Sequence, residues 1–156
     1  MRLTVLAVSA LILSACSRDE EPAPAPPAPG PAPVLAGVDL SKPVRALGTE
    51  PFWAVELTGT EMVYSGVDRA EQRAPQPKAV IQGTMATFEG VTGSGASLSV
   101  MLAATECSDG MSDRTYPLSA IVRIGDETLT GCAASTAAIM SAGESGPVVE
   151  KSQPAA

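Results

Sequence analysis

The chain reads Cys107-Ser108-Asp109-Gly110-Met111-Ser112-Asp113-Arg114-Thr115-Tyr116-Pro117 and, a little later, Gly131-Cys132-Ala133. Alternating, strand-like segments lie on both sides of these two stretches. The chain holds three cysteines, and the remaining one, Cys16, lies near the N-terminus. Cys107 and Cys132 are the two cysteines of the expected β domain, and Cys16 lies outside it. Because exported proteins seldom keep an odd free thiol in an oxidising compartment, we expect a disulfide between Cys107 and Cys132. This bond would tie a polar, acidic loop to the last strand of a small β domain.

The N-terminus carries an export signal. A basic start, Met1-Arg2, is followed by an apolar run from Leu3 to Leu13. This run is too short to span a bilayer, which takes about 20 residues, and is typical of a signal peptide. It ends in Leu13-Ser14-Ala15-Cys16, which resembles the lipobox of bacterial lipoproteins. The resemblance implies that residues 1–15 are removed and that Cys16 is lipidated with fatty acyl chains such as palmitate.

Ser17 bears on the destination of the lipoprotein. The sorting rule for enterobacterial lipoproteins retains those with aspartate after the cysteine in the inner membrane, so Ser17 favours the outer membrane. An ordinary signal peptide with a chance cysteine is the alternative, and it would leave an odd thiol. We expect a lipid-anchored protein of the cell envelope, in the outer membrane and facing the periplasm.

Proline-rich and small-residue segments flank the expected domain. Residues 20–36 contain seven prolines, mostly alternating with alanine, which favours an extended spacer or, as the alternative, a recognition segment. We therefore assign residues 16–37 to a tether. The tail, residues 135–156, is rich in Ala, Ser, Gly and Pro and is predicted to be disordered, with a short helix over 134–140 as the alternative.

The remaining segment, residues 38–134, reads as an all-β domain. Trp53, Val55 and Leu57 share one face of a strand, which is followed by a hairpin turn at 58–61. Residues 68–78 are predicted to form a loop or an edge crossing, and residues 80–89 and 116–124 one strand each. Two further sets of alternating residues are expected to point inward, namely Leu98, Val100 and Leu102, and Leu118, Ala120, Val122 and Ile124. Six or seven short strands with Gly-rich turns predict a small antiparallel meander that closes into a barrel or sandwich.

Composition excludes several classes of function. The chain has 17 acidic and 10 basic residues and no histidine. The negative charge without a basic run argues against nucleic acid as a partner. The missing histidine excludes His-based triads, and a cysteine nucleophile would have to come from the expected disulfide. Glu106, Asp109 and Asp113 offer oxygens to a metal but lack the pattern of a calcium loop. We therefore predict no enzyme, no cofactor and no metal site.

Three motifs, taken together, resemble a family of bacterial envelope lipoproteins of unknown function. They are Gly-x-Glu-Pro-Phe-Trp at 48–53, Cys-Ser-Asp-Gly-Met-Ser-Asp-x-x-Tyr-Pro at 107–117 and Gly-Cys-Ala at 131–133. The likeness covers residues 46–133. It implies a small β-rich periplasmic domain with its two cysteines paired, and it brings no substrate.

A second likeness concerns the loop. Lipid-anchored inhibitors of c-type lysozyme present a Ser-Gly-x-x-Tyr loop to the enzyme, and Ser112 and Tyr116 are similar in spacing. Asp113 stands where those inhibitors have glycine. The alternative to a function in the loop is a purely structural one, in which Asp109 and Ser112 accept backbone N–H groups and Arg114 and Tyr116 pack over the disulfide.

The sequence therefore predicts a non-catalytic outer-membrane lipoprotein that acts by binding or in envelope maintenance. Its partners would be the membrane, through the N-terminal lipid, and an envelope protein. The alternative is an inhibitor that binds c-type lysozyme. Phe52 is the better candidate for an exposed contact, since Trp53 has the parity of the core. The candidate binding loop comprises Ser108, Asp109, Met111, Ser112, Asp113, Arg114 and Tyr116.

The lipid anchor can be tested in cells. Cys16→Ser should abolish the incorporation of a radioactive fatty acid, because no other lipid attachment site is apparent in the sequence. The precursor should also stall or be released from the membrane fraction. Normal labelling of this variant would contradict the lipoprotein assignment.

Overall fold

A computed structural model describes residues 32–150. The predicted signal peptide, Cys16, most of the predicted tether and residues 151–156 lie outside the described residues. Within residues 32–150, no helix is long and apolar enough to cross a membrane.

Strands dominate the described part of the chain. The elements, in chain order, are β1 (Val34–Leu35), β2 (Val38–Asp39), β3 (Val44–Thr49), β4 (Phe52–Leu57), β5 (Glu61–Gly66), β6 (Gln72–Pro75), β7 (Val80–Gln82), β8 (Met85–Val91), β9 (Ser97–Ala103), β10 (Cys107–Ser108), β11 (Asp113–Tyr116), β12 (Leu118–Ile124), β13 (Glu127–Ser135), α1 (Thr136–Ser141) and β14 (Ser145–Pro147).

Nine of these strands form one antiparallel sheet in the order β6-β5-β4-β3-β13-β12-β9-β8-β7. Its two edge strands, β6 and β7, are consecutive in the chain, so the sheet curls into a half-barrel. The curl brings β8 against β6, where a Cβ at Gly90 would lie 2.8 Å from the carbonyl oxygen of Pro75. The backbone N–H of Gly93 also donates to the carbonyl of Arg73 at 3.2 Å. The all-β barrel-like fold predicted from the sequence is confirmed.

The half-barrel encloses the main core. The inward residues predicted on β4, β9 and β12 are all buried, because side chains alternate between the two faces of a strand. They are Trp53, Val55, Leu57, Leu98, Val100, Leu102, Leu118, Ala120, Val122 and Ile124. Leu35, Val38 and Leu40, from the β1–β2 hairpin and the segment after it, belong to the same cluster.

A second layer covers part of the outer face. It consists of a three-stranded sheet, β10-β11-β14, and α1, which packs on β3 and β13. This layer has a small core of its own, formed by Tyr116, Cys132, Ala134, Ala138 and Val148. Cys132 belongs to it because its side chain points away from the main core.

Several sequence predictions need correction at the edges of the domain. Residues 80–89 form a hairpin, β7 and β8, because Gly83 adopts a positive φ of 59° that allows a tight turn. The segment 116–124 is two strands separated at Pro117, and part of the 68–78 loop is edge strand β6.

The domain also extends further at both ends than residues 38–134. Leu35, assigned to the tether, lies buried in the main core with 4% of its surface exposed. The predicted disorder of the tail is wrong for residues 136–141 and 145–147, which form α1 and β14. The short helix given as the alternative is present, shifted slightly along the chain. Ser135 starts the helix by accepting a hydrogen bond from the N–H of Ala138, and Val148 packs against Tyr116.

The indole of Trp53, the only tryptophan of the chain, occupies space that a side chain would need at two glycines of the sequence motifs. A Cβ at Gly48 would lie 2.6 Å from Cε2 of Trp53, and one at Gly131 would lie 2.9 Å from Cζ2. The same Cβ at Gly131 would overlap the carbonyl group of Leu47. The indole therefore fills space that these two glycines leave free, and its Nε1 has no hydrogen-bond partner within residues 32–150.

Gly131→Ala should destabilise the domain strongly. The added methyl group meets backbone, which cannot rotate away, so we expect a loss of about 3 kcal/mol in the free energy of unfolding. Gly93→Ala is the matched control, since its Cβ would meet no atom within 4 Å. Chemical denaturation followed by the fluorescence of Trp53 measures both variants. Equal midpoints for Gly131→Ala and the wild type would contradict the close packing of Gly131 against Leu47 and Trp53.

Candidate functional site

The predicted disulfide is present between Cys107 on β10 and Cys132 on β13, with their Cα atoms 5.4 Å apart. Cys132 is buried, and Cys107 is half-buried at the start of the β10–β11 hairpin. In this hairpin Cys107 pairs with Tyr116 and Ser108 with Thr115. The bond therefore fixes the base of the candidate binding loop to the outer face of the main sheet.

The carboxylate of Asp109 organises the loop. Its Oδ1 accepts hydrogen bonds from the backbone N–H groups of Met111, at 3.0 Å, and Ser112, at 2.8 Å. Its Oδ2 accepts from the hydroxyl of Ser112, at 2.8 Å, and from that of Tyr116, at 3.1 Å. Gly110 supplies a positive φ of 72° at the turn. The loop is thus folded around one charged side chain.

These hydrogen bonds determine the charge of Asp109. Burial by itself raises the pKa of this carboxyl, but the N–H groups of Ser112 and Met111 and the hydroxyls of Ser112 and Tyr116 outweigh that effect and lower the pKa to about 2. The pKa of the Tyr116 phenol is raised, chiefly by its burial and with a contribution from the charge on Asp109. Asp109 is therefore ionised and Tyr116 neutral at physiological pH.

Two further contacts hold the loop in place from its sides. The hydroxyl of Thr49, at the end of β3, donates to the backbone carbonyl of Asp109 at 2.9 Å. The Nε of Arg114 donates to the carbonyl of Gly143 at 2.7 Å, beside the parallel pairing of β11 with β14. The loop is therefore attached to both the main sheet and the C-terminal segment.

Two grooves flank the contact between Thr49 and Asp109. The first, of about 570 Å³, we call the disulfide groove; it is lined by Leu47, Gly48, Thr49, Glu50, Cys107, Ser108, Asp109, Gly110, Met111, Thr130 and Gly131. The second, of about 510 Å³, we call the aromatic groove; its lining includes Arg45, Phe52, Trp53, Ala54, Val67, Arg114 and Tyr116. The two grooves share Leu47, Gly48, Thr49 and Asp109, so they adjoin.

Large apolar side chains stand exposed at the rims of these grooves. Phe52 has 53% of its surface exposed, Val67 69% and Met111 66%. Val67 is held beside Phe52 by a hydrogen bond from its N–H to the carbonyl of Phe52, at 3.2 Å. We call the two grooves and these three side chains the loop face.

The structure separates the sequence-predicted site residues into three groups. Ser108, Met111, Asp113 and Phe52 are exposed, and Asp109, Ser112 and Arg114 are partly buried. Tyr116 and Trp53 are buried, with 1% and 4% of their surfaces exposed. Trp53 was expected in the core, and it is buried there. Tyr116 was predicted to be a candidate contact, but it pairs with Cys107 across the hairpin and lies buried in the second core.

Sequence reasoning missed Thr49, Glu50, Val67 and Thr130 as parts of this face. Glu50 lies within the Gly-x-Glu-Pro-Phe-Trp motif. The motif indicates a turn at Glu50, but it does not indicate that Glu50 lines the same groove as the loop. Val67 and Thr130 carry no local signal. These residues are far from the loop in the sequence, so local patterns do not predict that they line the same grooves.

The loop face contains no cluster of side chains that could bind a metal ion within residues 32–150. Among residues 32–150, no group of three or more His, Cys, Asp or Glu residues is arranged to hold a metal ion. Both carboxylate oxygens of Asp109 already accept two hydrogen bonds each from donors of the loop.

Comparison with known proteins gives no relative: no family model matches the sequence, no curated protein matches it, and no solved structure matches the fold.

The stability of the domain should depend on Asp109 at acid pH. The folded pKa of about 2 lies below the usual value of 3.8, so its contribution to stability is complete above pH 4 and is lost as the pH falls through 2. Asp109→Asn should remove this part of the pH dependence and cost about 1 kcal/mol at neutral pH, because an amide nitrogen in the place of Oδ2 accepts no hydrogen bond from the hydroxyls of Ser112 and Tyr116.

Thermal melts between pH 2 and pH 7 measure this effect. Asp113→Asn is the matched control, since the Asp113 carboxylate lies in the same loop and makes no hydrogen bond within residues 32–150. If both variants show the same stability profile as the wild type, Asp109 does not organise the loop.

Proposed function

We propose that this protein is a non-catalytic lipoprotein of the outer membrane, facing the periplasm, that binds a partner protein through the loop face. The single observation that carries the proposal is the position of Phe52, Val67 and Met111. Three large apolar side chains are exposed by more than half around two adjoining grooves. Anchors of this kind, beside well-formed concave surfaces, are typical of protein interfaces.

The rigidity of the loop supports a binding role. A flexible loop loses conformational entropy on binding, and this loss reduces the affinity. Here the disulfide, the four hydrogen bonds to Asp109 and the Thr49 contact fix the loop before a partner arrives. Met111 is therefore presented in a defined position at the tip of a braced hairpin.

The electrostatics of the loop favour a non-catalytic role. A general base works best with a pKa near the operating pH, and the pKa of Asp109 is moved in the opposite direction, to about 2. Its carboxylate oxygens already accept from donors of the loop. Asp109 therefore serves as a structural anion of the loop.

The lysozyme-inhibitor alternative receives no support from this geometry. That mode of inhibition needs the serine and the tyrosine of the loop to reach into the enzyme. Tyr116 is 1% exposed, and its hydroxyl donates to Asp109, as does the hydroxyl of Ser112. Both side chains are engaged within the loop.

Site-specific photo-crosslinking in the envelope tests the proposal. The full-length lipoprotein would carry p-benzoylphenylalanine in place of Met111 or, in a second variant, of Phe52. We expect both variants to give the same discrete adduct on irradiation, because both positions line the loop face. The control is the same amino acid at Val80, which is 58% exposed and lines a different groove. Equal adducts from all three positions, or none from Met111 and Phe52, would contradict the proposal.

A further inference from the structure

The disulfide groove carries negative charge that has no counter-ion within residues 32–150. Glu50 and Asp109 are the only charged residues among those that line it. Glu106 and Asp113 are exposed on the same segment of chain. The ion pairs in the described part of the chain all use other acids, namely Glu56, Glu61, Glu71, Glu127 and Glu150.

The two grooves differ in the sign of the charge at their walls. The aromatic groove contains Arg45 and Arg114 beside its apolar floor, together with Asp109, which it shares with the disulfide groove. Arg45 is paired with Glu56, and Arg114 is oriented by the carbonyl of Gly143. The lining of the disulfide groove contains two acids and no basic residue, so a cationic group of a partner is favoured there over the aromatic groove, and this difference favours one direction of docking.

The chemistry of the disulfide groove also suits a long basic side chain. Glu50 is exposed and makes no hydrogen bond through its side chain within residues 32–150, so its carboxylate is free to accept from an ammonium or guanidinium group. Ser108 and Thr130 add hydroxyl oxygens at the walls. Met111 and the disulfide supply apolar, polarisable surface of the kind that packs against the methylene groups of lysine and arginine.

We propose that the disulfide groove receives a lysine or arginine side chain of the partner protein, with its cationic end at Glu50 and its aliphatic part against Met111. This inference rests on the proposed function, because it assigns the chemistry of the partner that the loop face binds. The apolar residues of the partner then lie on Phe52 and Val67, at the aromatic groove.

Charge reversal at Glu50 tests the inference. The full-length lipoprotein with p-benzoylphenylalanine at Phe52 keeps Met111 intact and reports on the same face. In this background Glu50→Lys should lower the adduct yield roughly tenfold, because it places like charges in contact. Glu50→Gln should give an intermediate yield. Glu89→Lys is the matched control: Glu89 is exposed, has no ion pair in the described part of the chain and lies outside the loop face.

The second measurement identifies the peptide of the partner protein to which the cross-linker is attached. Mass spectrometry of the cross-linked peptide should find lysine or arginine within a few residues of the attachment point, and the yield should decrease with added salt. The thermal midpoint of each variant verifies that it is folded.

The possible results separate the two proposals. An unchanged adduct yield in a folded Glu50→Lys variant, or a cross-linked segment without a basic residue, would overturn the cation inference and leave the proposed function standing. The absence of adducts at both Phe52 and Met111 in the parent lipoprotein would overturn the proposed function itself. A loss of yield in Glu89→Lys equal to that in Glu50→Lys would show a general effect of net charge and would also overturn the inference.

Discussion

The bond between Cys107 and Cys132 joins two layers that share only a small apolar contact. The second core consists of Tyr116, Val148, two alanines and Cys132 itself, and the half-buried Leu47 and Ile139 pack against it. Few methylene groups are buried there, so the hydrophobic contribution is modest. A cross-link over 25 residues contributes about 3.5 kcal/mol in the chain-entropy treatment. The bond therefore keeps the outer layer, and with it the candidate loop, in a fixed position on the half-barrel.

The sequence predicted the main core and the disulfide but not the edges of the domain. Strands such as β9 and β12 alternate over seven residues each, and this length makes the inward face unambiguous. Elements such as β1, β7 and β14 have two or three residues, too few for a period of two to be recognised. Their formation depends on partners elsewhere in the chain. For the same reason the tail was predicted to be disordered, although Val148 is buried against Tyr116.

The candidate site was predicted in part. The loop and Phe52 follow from local patterns, since acids beside Gly110 indicate a turn and the parity of Phe52 places it opposite Trp53. The burial of Tyr116 and the position of Glu50 in the same groove as Met111 depend on how β3, β10 and β13 pack together. A sequence alone does not show which of several polar groups a hydroxyl will bond. The structural alternative for the loop, in which Asp109 accepts backbone N–H groups, is confirmed by the bonds from Met111 and Ser112. The bond from the hydroxyl of Tyr116 to Asp109 appears only when these strands are in place.

Exposed apolar residues also occur elsewhere on the domain, but the grooves beside them differ in charge and in rigidity from those of the loop face. Val80 and Met85 stand exposed on β7 and β8, beside a groove of about 450 Å³. That groove is lined by Lys78 and Glu89, whose opposite charges balance, and it lies against a three-residue edge strand. The disulfide groove, by contrast, is lined by two acids and, within residues 32–150, by no basic residue, and a covalent bond fixes one of its walls. Single exposed apolar side chains are common on soluble proteins and need no partner. Apolar side chains around rigid grooves of defined charge provide both binding energy and a means of selecting the partner.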